Sequence, residues 1–214
     1  LKNPAEITIK SKKKEAQLIK QRYITIQNSY KLEVLKRVLE LSFGEGVIIF
    51  ARTKVITIKL AESLEAAKHN VAVLNGDVPQ NLRERTVERL RQGGIDVLVA
   101  TDVAARGLDV ERIGLVINYD MPFDTEAYVH RIGRTGRAGR KGVAYTFFQT
   151  RADNLRAGEL VKVLRDAGQP VPEKMKSFNL NIKKKEHKLY GNLGPKDYNN
   201  VPMKAPTKIV FGDD

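Results

Sequence analysis

Two short, almost entirely apolar runs constrain the fold of this chain more than any other feature. GVIIF at 46–50 and DVLVA at 96–100 are rich in β-branched residues, and helical patterns lie between them at 55–68 and 79–92. A strand that is apolar at nearly every position has both faces buried, which is typical of parallel sheets covered by helices. The alternation of such strands with helices therefore predicts a three-layer α/β domain with a mostly parallel sheet.

This alternation extends over residues 22–168, which we predict to form one domain. Residues 1–21 are rich in lysine and are interpreted as a linker. Residues 169–214 are interpreted as a basic extension, extended or disordered, because Pro, Gly, Asn and Lys dominate it. The predicted strands lie at 22–27, 46–51, 71–74, 95–101, 114–120 and 143–148, and the predicted helices at 31–41, 55–68, 79–92, 124–131 and 152–167.

The charge of the chain favours a polyanion as its partner. Of its 214 residues, 38 are Lys or Arg and 25 are Asp or Glu, which gives a formal net charge of +13. Such an excess is typical of nucleic-acid-binding proteins, although an anionic membrane surface or a ribosomal setting would also attract it. The chain has no cysteine, its three histidines lie far apart, and no apolar run is long enough to span a membrane. We therefore expect a soluble intracellular protein without disulfides or a metal site.

Polar side chains follow the predicted strands, at the edge where ligands of parallel sheets gather. Thr53, after the strand at 46–51, suits a phosphate contact or, equally well, the N-cap of the next helix. Gln80 and Arg83 lie near the start of the predicted helix at 79–92, where free amides and the helix dipole attract phosphate. An ordinary surface helix is the alternative, and its buried stripe is predicted to be Leu82, Thr86 and Leu90.

The segment ATDVAARGLDV, after the strand at 95–101, has the composition of a ligand-binding turn. Thr101 ends the strand, Arg106 and Gly107 predict a tight turn, and Asp109 follows shortly after. An acidic residue beyond a strand of an α/β protein can bind a ribose hydroxyl, although Asp is also a common turn residue.

HRIGRTGRAGRKG, at 130–142, combines clustered arginines with a glycine at every third position. Arg134 and Arg137 lie on this segment, and arginine binds phosphate oxygens bidentately. An arginine that enters the nucleotide site of another domain can stabilise the charge that develops on a transferring phosphoryl group. A solvated basic loop is the alternative for a charge run of this kind.

Four segments, in this order and spacing, resemble motifs IV, IVa, V and VI of the second RecA-like domain of DEAD-box RNA helicases: IIFARTK, LNGDVPQNLRERTVERLRQG, VLVATDVAARGLDV and YVHRIGRTGR. The resemblance covers about residues 22–168, and His130 at the start of motif VI favours the DEAD-box group over the DEAH group. Between 46 and 142 the sequence is most similar to bacterial cold-shock DEAD-box helicases. RAGELVKVLRDAGQPVPEKMKSF, in contrast, resembles eukaryotic members.

The resemblance implies a role for each position that matches a family motif. Gly107 and Asp109 would bind ATP, Asp109 at the ribose, and Arg134 and Arg137 would reach the ATP phosphates from across an interdomain cleft. Two residues would link the nucleotide site to the RNA site, namely His130 and Arg131. The positions that match contacts to the RNA sugar-phosphate backbone are Thr53, Gln80, Arg83, Thr101 and Gly107. Such contacts predict RNA binding that is independent of sequence and sensitive to salt.

The resemblance also implies a cofactor and a partner domain that this chain does not supply. The sequence contains neither a GxxxxGK[ST] phosphate loop nor a D-E-A-D tetrapeptide, which the family keeps in its first RecA-like domain. ATP with Mg²⁺ would therefore be held mainly by that first domain, including all the Mg²⁺ ligands. We expect this chain alone to be inactive and monomeric, with RNA and the first domain as its partners and no membrane association.

The predicted function is that of the C-terminal core domain of an ATP-dependent RNA helicase. It would couple ATP hydrolysis to RNA duplex unwinding or RNP remodelling in the cytoplasm, or in the nucleus or nucleolus of a eukaryote. The alternative is a stand-alone, non-catalytic RNA-binding or regulatory domain. Arg134 and Arg137 favour the enzyme, because a pure binding domain has no need of arginines that reach into a nucleotide site.

Overall fold

A computed structural model describes residues 18–40, 44–150, 152–171, 175, 186–187 and 191–192 of the chain. The chain divides into two compact units, Leu1–Leu180 and Asn181–Asp214. Residues 1–17 of the predicted linker and most of the predicted extension at 169–214 lie outside the described residues. The predicted division into linker, domain and extension therefore stays a prediction.

The first unit contains a sheet of six strands. In chain order they are β1 (Ile19–Thr25), β2 (Gly46–Phe50), β3 (Val71–Leu74), β4 (Val97–Ala100), β5 (Ile113–Asn118) and β6 (Gly142–Phe148). Across the sheet the order is β1-β6-β5-β2-β4-β3, so the first strand pairs with the last. Every pairing is parallel, which confirms the predicted α/β class.

Helices cover both faces of this sheet. In chain order they are α1 (Lys31–Glu40), α2 (Lys54–Ala66), α3 (Gln80–Gln92), α4 (Asp102–Ala105), α5 (Thr125–Ile132) and α6 (Ala157–Asp166). Local chemistry explains several of their ends. Asp124 caps α5 by accepting a hydrogen bond from the Ala127 amide at 2.8 Å. Gly93 ends α3 with a left-handed φ of 79°, which glycine adopts without strain.

Two apolar clusters, one on each face, form the core. On β2, Ile48 and Phe50 pack into a cluster with α3, α4, α5 and α6, whereas Val47 and Ile49 pack into a second cluster with α1 and α2. Successive side chains of a strand point to opposite faces, so an apolar residue at every position contributes to both clusters. The continuous apolar run in the sequence is therefore the direct cause of the three-layer arrangement.

β1 begins three residues before the predicted strand. Ile19 and Gln21 are buried and alternate with the exposed Lys20 and Arg22, which is the pattern of a strand with one face on the core. The charged residues at 20 and 22 make this stretch resemble the lysine-rich segment before it. The last residues assigned to the linker, 19–21, therefore pair with β6 at the edge of the sheet.

The predicted buried stripe of α3 is wrong at its first position. Leu90 is fully buried, whereas Leu82 is 47% exposed. Arg83, Thr86 and Val87 are half-buried instead. Only the last part of α3 enters the core. Counting back from Leu90 in steps of four residues therefore does not identify the residues that face the protein near the start of the helix. As a result Arg83 points towards the protein rather than into solvent.

The single-turn helix α4 was not predicted from the sequence. Its Ala104 and Ala105 are buried, and their small side chains let the turn pack closely on the apolar cluster.

In the second unit, β7 (Glu186–His187) pairs antiparallel with β8 (Gly191–Asn192). Across the part of the chain that the structure describes, no helix combines the length and apolar character needed to cross a bilayer.

Candidate functional site

The carboxyl ends of β2 and β5 lie side by side and are joined by Asp120. Asp120 Oδ2 accepts a hydrogen bond from the Arg52 amide at 2.9 Å, and Asp120 Oδ1 pairs with the Lys31 ammonium at 2.6 Å. The side chain of Lys31 is completely buried, and its ammonium also lies 4.4 Å from the centre of the Tyr119 ring. This buried ion pair anchors the start of α1 to the edge of the sheet where ligands of parallel sheets bind.

Arg131 is a buried cation that joins three elements at the same edge. Only 2% of the residue is exposed, and its guanidinium makes a bidentate pair with Asp102 at 2.6 Å and 2.7 Å. It also donates to the Asp120 carbonyl at 2.7 Å and to Asn118 Oδ1 at 3.3 Å. Arg131 therefore ties α5 to the start of α4 and the end of β5, and its donors are directed at protein acceptors rather than at a ligand.

The loop after α4 places Asp109 at the surface. Leu108 and Val110 are buried, so Asp109 between them is turned outward and its side chain is 77% exposed. Gly107 has a φ of 73°, and a Cβ at this position would meet no atom within 4 Å. A ligand can therefore approach the backbone of Gly107 and the carboxylate of Asp109 from the same side.

Arg134 and Arg137 converge on this loop. Nη1 of each guanidinium donates to the Leu108 carbonyl, at 2.6 Å from Arg134 and 3.0 Å from Arg137. Arg137 also pairs with the Asp109 carboxylate. Burial and the charge of Arg137 lower the pKa of Arg134, while Asp109 acts in the opposite direction. Two guanidiniums and one carboxylate thus share a surface, and this set suits phosphate oxygens and ribose hydroxyls.

Glycines determine the path of the segment between α5 and β6. Gly136 and Gly139 have φ values of 70° and 76°. At Gly142 a Cβ would lie 2.3 Å from Thr135 Oγ1 and 2.7 Å from the Gly136 amide nitrogen. Thr135 is itself buried and donates to the Ile113 carbonyl at 2.7 Å. Three of the four glycines therefore serve left-handed turns or a close approach, and a solvated loop describes only the exposed residues 138–141.

α3 also contacts the loop. Arg83 Nη2 donates to the Arg106 carbonyl at 2.7 Å, and Gln80 Nε2 donates to Glu84 at 2.9 Å. Together with the loop at 106–109, this side of α3 lines a groove of about 690 Å³. Four arginines and three carboxylates line the groove, so its charge is mixed, with arginine in slight excess.

The other predicted site residues lie around this edge. Thr53 is the N-cap of α2, and its Oγ1 accepts a hydrogen bond from the Ile56 amide at 3.2 Å, which confirms the capping alternative. Thr101, at the end of β4, is half-buried and makes no capping bond with its side chain. His130 is half-exposed, with Nε2 4.0 Å from the Glu126 carboxylate. His130 also lines a small cavity of about 70 Å³ with Arg106, Arg131 and Arg134.

The structure thus brings Gly107, Asp109, Arg134 and Arg137 together, with Arg83 bonded to the Arg106 carbonyl of the same loop. The side chain of Thr53 is bonded to its own helix and not, among the described residues, to this group. No cluster of three or more His, Asp or Glu side chains that could hold a metal ion occurs within the described ranges. The prediction that the Mg²⁺ ligands lie in another domain stays a prediction.

Sequence analysis missed the charged residues that hold the site together. Asp102 and Asp120 are each the second residue after a strand, and this position is a usable signal. Lys31 could also have been found, since it continues the buried face of α1 formed by Leu35 and Leu39 at four-residue spacing. No local pattern marks Arg91, whose Nη2 donates to the Asp109 carbonyl at 3.0 Å.

Comparison with known proteins gives consistent matches. The model of the helicase conserved C-terminal domain matches residues 30–139, just over half of the chain. The ATP-dependent RNA helicase DeaD of Mycobacterium tuberculosis (strain ATCC 25618 / H37Rv) is 56% identical over 151 residues, which are 71% of this chain and 26% of the helicase. DeaD of Escherichia coli (strain K12) is 54% identical over 155 residues, 72% of this chain and 25% of the helicase. The chain therefore spans about a quarter of the length of these curated relatives.

Solved structures show the same likeness. A chain of the structure of E. coli DEAD-box protein SrmB bound to regulator of ribonuclease activity A is 36% identical with a TM-score of 0.62, covering 73% of this chain and 92% of that chain. S. cerevisiae Dbp5 bound to RNA and ADP BeF3 is 34% identical with a TM-score of 0.63, covering 72% of this chain and 41% of that chain. With the parallel sheet and the motif residues gathered at its edge, these matches confirm the resemblance: the chain belongs to the helicase conserved C-terminal domain family and is the C-terminal, RecA-like α/β domain of a DEAD-box RNA helicase.

Proposed function

We propose that this chain is the second RecA-like domain of an ATP-dependent RNA helicase, in which it binds the RNA backbone and supplies guanidiniums to ATP held by a first RecA-like domain. The observation that carries the proposal is the meeting of Arg134, Arg137 and Asp109 at one exposed surface, beside the open backbone of Gly107. The names of the relatives, which are ATP-dependent RNA helicases, support the same function for the whole protein.

The residues at this surface fit a nucleotide. ATP with Mg²⁺, when bound, supplies the phosphoryl group that is transferred to water. Arg134 and Arg137 can donate to phosphate oxygens, a contribution worth about 10³–10⁵ in rate for an arginine of this kind. Asp109 can accept a ribose hydroxyl. In this structure Arg137 and Asp109 form an ion pair with each other near the surface. Because surface ion pairs contribute little free energy, either residue can bind a ligand instead.

RNA would contact the start of α3 and the neighbouring strand ends. Gln80 and Arg83 on α3, with Thr53, Thr101 and Gly107 at the edge of the sheet, offer hydroxyl, amide and guanidinium groups to phosphate and sugar. Contacts of this type carry no base information, so binding would be independent of sequence. The net charge of +13 would make it sensitive to salt.

Arg131 provides a physical link between the two sites. It bonds α5, which leads to Arg134, to Asp102 at the start of α4, which leads to Gly107. A displacement on one side of this pair would be transmitted to the other, and His130 lies next to Arg131 beside the small cavity that both line. We propose that this link couples ATP hydrolysis to unwinding or remodelling of RNA, in the cytoplasm.

RNA-stimulated ATP hydrolysis tests the proposed function. It is measured for this chain alone and after adding a separately prepared first RecA-like domain of a DeaD relative. We expect no turnover by the chain alone and RNA-dependent turnover in this two-domain mixture. Turnover by the isolated chain would contradict a split site. RNA binding without turnover in the mixture would favour the stand-alone RNA-binding domain.

A further inference from the structure

The loop that carries Asp109 is bonded by arginines from two directions. Arg83 and Arg91 donate to it from α3, and the segment after α5 supplies further donors, namely Arg134, Arg137 and Arg140. These bonds end on four backbone carbonyls, those of Arg106, Leu108, Asp109 and Glu111. The loop is therefore held by its backbone, which leaves the Asp109 side chain exposed.

Arg91 and Arg140 are the donors to which the proposed function assigns no role, and of these two only Arg91 bonds Asp109. Arg91 lies in the last turn of α3, and Nη2 donates to the Asp109 carbonyl at 3.0 Å while Nη1 pairs with Glu88 at 3.2 Å. Glu88 also accepts a hydrogen bond from Gln92 at 2.8 Å, so the carboxylate that orients Arg91 is itself held in place. Within the described residues, this guanidinium is the one group bonded to the Asp109 carbonyl.

The residues around Asp109 differ in how strongly the fold restrains them. Leu108 and Val110 are anchored in the core, whereas Gly107 is a left-handed pivot with open space around it. A bond to the Asp109 carbonyl restrains the peptide unit that follows the carboxylate. Because Arg91 bonds the backbone, it does not compete with Arg137 or a ligand for the carboxylate itself.

We propose that Arg91 is a positioning residue for Asp109, and that it connects the nucleotide side of the domain to the helix that carries Gln80 and Arg83. Arg91 follows Arg83 by eight residues on α3, about 12 Å along the helix axis. One rigid element therefore joins the RNA-side residues to the residue assigned to the ribose. The ribose part of this inference rests on the proposed function, and the restraint on the loop does not.

Hydrogen–deuterium exchange of this chain tests the restraint without any ligand. In Arg91→Met the amides of 106–111 are expected to exchange about tenfold faster, with β2 and β4 unchanged. Arg85→Met is the matched control, since Arg85 lies on α3 and lines the same groove but has no bond to the loop among the described residues. Arg91→Lys, which can still donate to a carbonyl, should recover part of the protection. Unchanged exchange at 106–111 in Arg91→Met overturns the proposal.

Ribose discrimination in the two-domain mixture tests the consequence for Asp109. The KM for 2′,3′-dideoxy-ATP should exceed that for ATP about tenfold, since a hydrogen bond to a charged group is lost. In Arg91→Met this ratio should fall to about twofold with kcat for ATP nearly unchanged, whereas Arg85→Met keeps the full ratio. A full ratio in Arg91→Met overturns the proposal. Equal KM values in the unsubstituted protein would instead remove the ribose role from the proposed function, and exchange at 106–111 would then decide the role of Arg91.

Discussion

Burial separates the arginines of motif VI into two kinds. Arg131 is enclosed, and its donors are committed to Asp102, Asn118 and the Asp120 carbonyl. Arg137 lies nearer the surface and bonds a loop carbonyl and an exposed carboxylate. A buried, fully bonded guanidinium maintains structure, whereas one at the surface can change partners when a ligand arrives. Replacement of the two kinds should therefore have different consequences.

Arg137→Ala in the two-domain mixture is expected to lower kcat for ATP hydrolysis by about 10³-fold or more, because a guanidinium that stabilises phosphoryl charge is lost. The affinity for RNA should change little, since Arg137 pairs with Asp109, the residue that we assign to the ATP ribose. The measurement compares kcat and the RNA Kd with those of Lys141→Ala, which removes an exposed charge from the same segment. An unchanged kcat in Arg137→Ala would contradict the assignment of Arg137 to the ATP phosphates.

Arg83→Met is expected to weaken RNA binding to a similar extent for unrelated sequences. The slope of log affinity against log salt should fall by about 1, because one phosphate contact is lost. Fluorescence anisotropy with two single-stranded RNAs over a range of salt concentrations measures both effects. Arg89→Met, at the other end of α3, controls for the loss of net charge. A loss restricted to one RNA sequence would argue against contact with the backbone.

At the scale of elements, one buried ion pair and one close approach keep the site edge in place. The Lys31–Asp120 pair connects α1 with the end of β5, and its Lys31 side chain is completely buried. Gly142 allows the start of β6 to pass against Thr135 in the turn after α5. The ion pair joins two segments that are distant in the chain, and the close approach joins the two ends of one turn. Both contacts lie next to the predicted site residues.

Lys31→Met is expected to lower the free energy of unfolding by about 3–5 kcal/mol, because it leaves the Asp120 carboxylate without its cation. Lys54→Met is the matched control, since it removes the exposed partner of Asp77 and should cost no more than about 1 kcal/mol. Urea unfolding followed by circular dichroism gives both values. Equal losses in the two variants would show that burial of the Lys31 pair does not matter.

Gly142→Ala is expected to destabilise the domain by about 3 kcal/mol, because the new Cβ meets backbone as well as the Thr135 side chain. Gly139→Ala should cost only about 1–2 kcal/mol, since its φ of 76° is strained for alanine but the space around it is open. Thermal and urea unfolding of the two variants provide the comparison. A larger loss in Gly139→Ala would contradict the steric argument.

For the whole molecule, stability should decrease at high pH. The hydroxyls of Tyr23 and Tyr128 are hydrogen-bonded to each other, and burial raises the pKa of both well above the usual value. Tyrosines of the unfolded chain ionise near pH 10, so the unfolded state releases protons first. The stability from these two groups is therefore complete below about pH 10 and is lost as the pH rises, by up to about 1.4 kcal/mol per pH unit for each.

Urea unfolding at several pH values around 10 measures this loss. The double variant Tyr23→Phe/Tyr128→Phe should show a flatter decrease in the free energy of unfolding than the unsubstituted chain. Tyr30→Phe, at an exposed position, should leave the decrease unchanged. The explanation fails if all three proteins lose stability equally with pH.

The sequence by itself determined the alternation of strands and helices and the order of the motifs. The predicted strand at 71–74 has the same bounds in the structure. The apolar runs at 46–50 and 96–100 correctly predicted a sheet that is buried on both faces. These features could be predicted because strand and helix periodicity, and the residues of a motif, are local properties that span only a few positions of the chain.

Only the tertiary structure decided which residues meet. Arg134 and Arg137 share the Leu108 carbonyl across more than twenty positions, and Lys31 reaches Asp120 across 89. The side of α3 that faces the protein, and hence the direction of Arg83, likewise depends on where the helix enters the core rather than on its own spacing. Contacts of this kind follow from the strand order of the sheet, which brings distant strand ends to one edge, and no local period of the sequence encodes that order.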